Sequence, residues 1–353
     1  MIYLDHNATM PPACAVAQAM LSILTDVWGN ASSQHAVGQQ ATGTLAAARA
    51  TIARALGCKP AELIFTSGAT EANHLAVCGL HAVAPDGRHR GVFSAIEHPA
   101  HLKLARALAA RGLAVDYIPV WPDGTLDLDS AAALIGSDVA VVSLMTANSE
   151  TGVLIPVADV RDLVPSARAG LHFDATQFIG SMRFHFAQSG IDGVSLSAHN
   201  LRGPKGIGAL LVRQGVTLVA QVQGSQKRHR RGGTENLPAI ASLTAALERI
   251  SEAARVVALR DALEQTLRCA LPAVHVFSAR ASRLPGTSYL RFGEVPADVV
   301  LQRPAAMDVP RDEALAAVRL SLGETTTAQD IEYVLAHLPP LLRPLPEEAA
   351  HPD

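Results

Sequence analysis

Val194–Gly208 reads V-S-L-S-A-H-N-L-R-G-P-K-G-I-G. Val194–Ala198 predicts an apolar strand, His199 and Asn200 follow at its C-terminal end, and Gly203-Pro204 breaks the chain before a second strand at Gly208–Val212. Neither strand alternates polar with apolar residues, so both faces of their sheet must be covered. The same pattern repeats upstream. Strands are predicted at Glu62–Phe65, Gly91–Ile96, Ala114–Ile118, Val139–Met145 and Gly170–Asp174. Between and before them lie helices at Ala15–Trp28, Val37–Leu56 (closed by Gly57), Thr70 to about Gly79, His98–Ala110, Leu128–Leu134 and Val157–Leu163. This order predicts an α/β fold with a mostly parallel sheet between helices.

Past Gly233 the pattern changes. One long helix is predicted over Leu237–Ala270, strands at Val274–Phe277, Thr287–Leu290 and Ala317–Ser321, and helices near Ala297–Gln302 and Thr327–Leu338. The expected organisation is a large α/β domain over residues 15–250, a smaller α+β domain from residues 1–14 and 251–340, and a Pro-rich tail beginning at Leu338 that frays.

Composition excludes several classes. The 353 residues are ample for a sizeable core, and the net charge of −3 favours neither nucleic acid nor an anionic membrane. No uncharged apolar run approaches the roughly 18–20 residues of a membrane span. Cys14, Cys58, Cys78 and Cys269 are scattered and form no CxxC, which argues against a disulfide framework or structural metal site and fits a reducing cytoplasm. The N-terminus has no signal-peptide pattern. Cys269, in a helix with apolar neighbours, is expected to be a small core residue.

Several short motifs carry chemistry. Ser67-Gly68-Ala69-Thr70-Glu71, between strand and helix, is either an ordinary N-cap or a seat for a phosphate at a helix N-terminus. Asp174 ends a buried strand, where α/β sheets bind ligands, and an Asx turn is the alternative. His98 ends another strand, Arg231–Asn236 is a glycine-containing loop, and Arg319 lies in V-R-L-S-L-G.

Y-L-D-x-N-A-T, G-N-x-S-S-x-H, F-T-S-G-A-T-E, E-H, N-x-E-x-G, D-A-T-Q, S-A-H, G-P-K-G-I-G, G-T-E-N and V-R-L-S-L-G follow one another over residues 2–323. In this order they resemble the cysteine desulfurases of the NifS/IscS type, within the class-V aminotransferases of the pyridoxal-phosphate fold type I. The resemblance implies that Ala69, Thr70, Ser197 and His199 lie at the cofactor phosphate. It implies that His98 stacks on the pyridine ring and serves acid–base steps, and that Asp174 pairs with the ring nitrogen. Gln177 and Ser149 would approach the phenolic oxygen, and Arg319 would clamp the substrate carboxylate, as its fork suits. Thr234 would serve the phosphate of the partner subunit's site, which implies a homodimer.

Four departures stand against that pattern. Asn200 occupies the position of the Schiff-base lysine, and an amide is no amine nucleophile. Lys205, five residues on, belongs to the G-P-K-G turn. The connection Val299–Val318 has no cysteine where the family carries its sulfur-accepting one. Ser149 replaces an asparagine, and Gly224–Arg228 with the basic run Lys227–Arg231 replaces a glycine-rich segment. The expectation is a desulfurase-like protein of sulfur or iron–sulfur metabolism that holds pyridoxal 5′-phosphate non-covalently and lacks standard desulfuration. Its partners would be a second copy and a sulfur-acceptor or scaffold protein. Two other readings stay open: a lysine-independent enzyme acting on another amino acid, and an active desulfurase with displaced groups.

Overall fold

The computed structural model of the chain describes residues 2–167, 169–224, 226–248, 253–293 and 317–342. Helices α1 (Cys14–Asp26) and α2 (Ala36–Leu56) precede the first strand. Gly57 ends α2 in the left-handed region, φ 63°, and its N–H caps the carbonyl of Ala53. Next come β1 (Leu63–Thr66), α3 (Ala69–His81), β2 (Arg90–Ser94), α4 (Pro99–Ala109), β3 (Ala114–Ile118), α5 (Leu128–Leu134), β4 (Val139–Met145), α6 (Val157–Ala167) and β5 (Gly170–Asp174). The short α7 (Phe186–Ser189), β6 (Gly193–Ser197) and β7 (Gly208–Val212) complete the first sheet.

That sheet has seven strands in the order β1-β7-β6-β5-β4-β2-β3. β3, β2, β4, β5 and β6 run parallel to one another, while β7 runs antiparallel to both β6 and β1. The mostly parallel α/β fold expected from the sequence is what forms. Strands β4, β6 and β7 are buried throughout and β5 from its second residue, as strands covered on both faces must be. Ile52, Phe173, Leu196 and Leu243 share the core on one face, and Leu80, Phe93, Leu104 and Val141 that on the other.

Gly208 has a particular place. It pairs with Thr66 of β1 on one side and Ser197 of β6 on the other, so the ends of two strands 131 positions apart meet across it. A Cβ there would lie 2.5 Å from the Leu196 carbonyl oxygen and 2.7 Å from the Gly68 Cα. Gly208→Ala is therefore expected to force the Gly68 turn aside and to destabilise the fold by about 1–3 kcal/mol. Denaturant titration checks it, and an unchanged midpoint would show that the turn yields freely.

The second sheet is antiparallel, in the order β10-β9-β8, with β8 at Val274–Val276, β9 at Thr287–Phe292 and β10 at Ala317–Ser321. α9 (Ala253–Ala270) and α10 (Ala328–Leu342) cover it, burying Leu263, Leu267, Leu290 and Ile331 together. The N-terminal segment links both sheets. Asp5 bridges Ser321, Leu4 packs in this second core, and Ala13 and Val16 belong to the first.

Three expectations are corrected. Leu237–Ala270 is two helices, α8 (Leu237–Leu247) and α9, because α8 lies on α1 and α2 in the first core whereas α9 packs on β8 and β9. The C-terminal helix runs through Pro339-Pro340 to Leu342, held by Leu338 and Leu342 in the second core, so fraying does not begin at Leu338. Cys269 is exposed: Leu263 and Leu267 mark the buried face of α9, and Cys269, two residues past Leu267, points away from it. The helix expected near Ala297–Gln302 lies outside the described residues. No helix among the described residues is long and apolar enough to cross a membrane.

Candidate functional site

A cavity of about 750 Å³ opens at the C-terminal ends of β4, β5 and β6, where open α/β sheets bind ligands. Ala69, Thr70, His98, Ser149, Asp174, Gln177, Ser197, His199, Asn200 and Arg319 all border it. Thr234 does not; its expected role concerned another subunit. Lys205 borders the cavity too and is exposed.

The floor is built on β5. Asp174 is buried, and its carboxylate accepts from Asn73 Nδ2 at 2.6 Å and from the Thr176 N–H at 2.9 Å. Asn73, on α3, was not singled out from the sequence, because nothing local marks a helix residue as the partner of a strand end 101 positions away. One wall is the start of α3, whose first-turn N–H groups project toward the cavity beside Ser197. Glu71 in that turn receives Arg231 Nε at 2.6 Å and the Ser67 N–H at 2.7 Å, and these bonds hold its carboxyl down at about 2 against the opposing effect of burial.

Asn200 sits on a short 3₁₀ turn after β6 and is buried. Its Nδ2 donates to the Asn7 carbonyl at 3.2 Å, and Gln177 Nε2 donates to the same oxygen at 2.9 Å. In this structure the Gln177 amide is thus bonded to the N-terminal segment. Asn7 Nδ2 in turn reaches the Ser149 carbonyl at 3.0 Å and Thr287 Oγ1 at 2.9 Å. Asn148 shapes the turn that presents Ser149 and Glu150, its Oδ1 accepting from the N–H groups of Glu150 and Thr151 at 2.9 Å.

The resemblance assigns Arg319 to a substrate carboxylate. Its Nη2 donates to Asp5 at 2.6 Å, and its Nη1 to Glu150 at 3.1 Å and to the Ser149 carbonyl at 3.0 Å. Its Nε–H is buried without an acceptor. The side chain is fixed by two carboxylates from distant parts of the chain, with one donor left over. Burial pushes Glu150 up, partly countered by Arg319.

Behind the floor runs a buried polar chain that sequence reading missed. Glu97 Oε1 accepts from Ser94 Oγ at 2.5 Å and the Met145 N–H at 2.9 Å, and its Oε2 stands 3.3 Å from His101 Nδ1. Ser143 Oγ lies 3.0 Å from His101 Nε2 and 2.7 Å from His172 Nδ1, and His172 Nε2 lies 2.8 Å from Ser195 Oγ. His172 and Asp174 share a strand face two residues apart, the one local signal that could have found it. Burial first, then the neighbouring His101, holds His172 below the ordinary histidine range. Its native form is neutral while its unfolded form takes a proton below about pH 6.5, so it should make stability rise as pH rises toward that value. His6 and His199 are displaced in the same direction, each chiefly by burial. The slope of Tm against pH between about pH 5 and 7 is expected to flatten in His172→Gln; an unaltered slope would show that His172 does not carry it.

The sequence matches the class-V aminotransferase family over residues 2–303. It is 38% identical to a cysteine desulfurase of Sinorhizobium fredii, over 98% of this chain and 97% of that one. The chain belongs to the class-V aminotransferase family, among its cysteine desulfurase-like members. It is also 35% identical to the cysteine desulfurase NifS of Azotobacter vinelandii, over 98% of this chain and 94% of that one. The solved structure of a NifS-like protein superposes with a TM-score of 0.92 at 30% identity, covering 97% of this chain and 99% of that one.

The family depends on pyridoxal phosphate, and the cavity fits such a group. Its volume is in the range of cofactor pockets. Asn73 Oδ1, Thr176 Oγ1, His199 Nδ1 and Asn200 Oδ1, all on or beside its wall, are buried polar atoms without a partner. Such atoms are rare in a finished interior and call for a polar ligand.

Proposed function

We propose that this class-V protein binds pyridoxal phosphate non-covalently and does not carry out standard persulfide-forming desulfuration. The observation that carries this reading is Asn200. It stands at the cavity wall in the family's lysine position, with its amide nitrogen bonded to the Asn7 carbonyl. The cysteine-free stretch between Phe292 and Ala317 points the same way. The protein would act as a homodimer with a sulfur-acceptor or scaffold partner in the cytoplasm.

When bound, the cofactor supplies an electron sink for a carbanion next to its imine carbon. The α3 N-terminus, Thr70, Ser197 and His199 would hold the phosphate. Asp174, oriented by Asn73 and Thr176, would keep the ring nitrogen protonated. His98, exposed at the N-cap of α4 with its Nδ1 accepting from the Ala100 N–H, leaves its other nitrogen for proton transfer at the open side. The spare Nε–H of Arg319 favours a second reading, lysine-independent chemistry on an amino acid whose carboxylate it would hold.

The visible spectrum of the purified protein, with phosphate-ester analysis, tests the first reading. Bound cofactor that dialysis removes, with sulfide release from L-cysteine no faster than free pyridoxal phosphate gives, is expected. Cofactor fixed to Lys205 by borohydride, or faster sulfide release, would sink it and restore the active-desulfurase reading. Spectral change with an amino acid other than cysteine would favour the second.

A further inference from the structure

Glu71 brings a carboxylate to the α3 end of the cavity, where Thr70, Ser197 and His199 would hold a phosphate. Its Oε2 accepts the Ser67 N–H at 2.7 Å, so the carboxylate is folded back on the Ser67-Gly68 turn, and both residues of that turn border the cavity. The first-turn N–H groups of α3 have no intrahelical carbonyls and favour an anion. A bare carboxylate beside them would oppose one, since charge acts over several ångströms without contact. Arg231 answers that charge. Its Nε donates to Glu71 Oε1 at 2.6 Å and its Nη2 to Oε2 at 3.2 Å, a two-pronged contact between side chains 22% and 23% exposed. Arg231 stands 160 positions from Glu71 in the chain and does not itself border the cavity. Its loop is held in place to reach across: the Gly232 N–H donates to the Val222 carbonyl at 2.8 Å, and a Cβ on Gly232 would collide with the Gln223 carbonyl oxygen. Glu235, the other carboxylate near Arg231, has Arg49 at 3.7 Å.

We infer that Arg231 is a positioning residue for the phosphate end of the site: its pairing with Glu71 cancels the negative charge there and lets the start of α3 take a phosphate dianion. This rests on the cofactor reading of the cavity and adds the residue that makes its phosphate end hospitable. Glu71 keeps its place because its carboxylate ties down the Ser67 N–H, and Arg231 removes the electrostatic cost of having it there. A mere staple between α3 and the loop would behave differently. Losing either partner would then loosen the turn, and removing the charge of one could not repair the loss of the other.

Titration of the full-length chain with pyridoxal 5′-phosphate and with inorganic phosphate, read by calorimetry at low salt, tests this without any assay of turnover. Arg231→Gln is expected to weaken both ligands at least about tenfold, because an uncancelled carboxylate then faces the phosphate. Added salt should shrink that loss. Glu71→Gln keeps an oxygen for the Ser67 N–H and removes the charge, so alone it should bind both ligands at least as tightly as the native chain. Combined with Arg231→Gln, it should restore most of the lost affinity. An affinity loss that Glu71→Gln does not restore, or weaker binding in Glu71→Gln alone, overturns the inference and leaves the cofactor reading standing. Should Arg231→Gln fail to fold, the Glu71→Gln titration decides by itself. If the native chain binds neither ligand, the cofactor reading falls and takes the inference with it.

Discussion

Asn200→Lys is expected to bind pyridoxal phosphate covalently, with a new visible band and a bond to residue 200 that borohydride makes permanent, yet to form no persulfide. Around residue 200 the cavity keeps its carboxylate floor, its helix N-terminus and its two flanking hydroxyl residues, Thr70 and Ser197. The substitution removes one bond, Nδ2 to the Asn7 carbonyl, while Gln177 still donates to that oxygen. The local cost is about 1 kcal/mol. The gain is a primary amine at the position where the resemblance places the Schiff-base lysine, in addition to the exposed Lys205. Sulfur transfer would still have no acceptor. Cys58 is half-buried and its thiol is pushed up to about 12, chiefly by burial, and Cys78 is displaced the same way. Cys14 and Cys269 are exposed on α1 and α9, and neither borders the cavity. Mass spectrometry after incubation with L-cysteine reads the outcome. A persulfide on any of the four cysteines would refute the second half, and a dialysable cofactor would refute the first.

The largest effect on stability is expected at Glu264. Its carboxylate lies on α9 and takes Arg283 Nη1 at 2.8 Å and Nη2 at 3.1 Å, with both side chains less than a tenth exposed. Arg283 also bridges Val153, beside which the Leu154 N–H donates to the Ser282 carbonyl at 2.8 Å and the Leu284 N–H to the Gly152 carbonyl at 2.8 Å. The pair thus fastens the turn after Ser149 and Glu150 to the second core. Glu264→Ala would leave a guanidinium buried without its counter-charge, at a cost of about 3–5 kcal/mol. Replacing both partners, Glu264→Leu with Arg283→Met, should recover most of that loss, because a buried ion pair and an apolar pair of similar volume differ little. Urea titration of the three variants measures it. A single substitution costing under about 1 kcal/mol would mean that water reaches Arg283.

Much of this molecule could be read before its structure. The apolar runs at Val139–Met145 and Val194–Ala198 predicted buried strands within a residue or two of β4 and β6, since a strand covered on both faces leaves a continuous signature. The helix boundary at Gly57 was legible because only a residue tolerant of positive φ ends a helix that way. The break after α8 was not, for no glycine or proline marks it and the apolar pattern continues across it. What separates α8 from α9 is that each has a different core to cover.

The candidate site divides along the same line. The ten residues that the resemblance names border one cavity, and position 200 among them carries an amide where the resemblance implies an amine. Partners were another matter. Asp5 meets Arg319 across 314 positions, Asn7 meets Asn200 across 193, and Gly208 joins Thr66 to Ser197 through strand register. Periodicity and local turn chemistry report what a residue does to its own segment. They carry no record of which distant donor or carboxylate will face it once sheets pair and cores close. The chain alone shows an amide at position 200, where the resemblance implies an amine. Folding is what brings the Asn7 carbonyl to Asn200 and Gln177 and leaves the Asn200 oxygen buried without a donor.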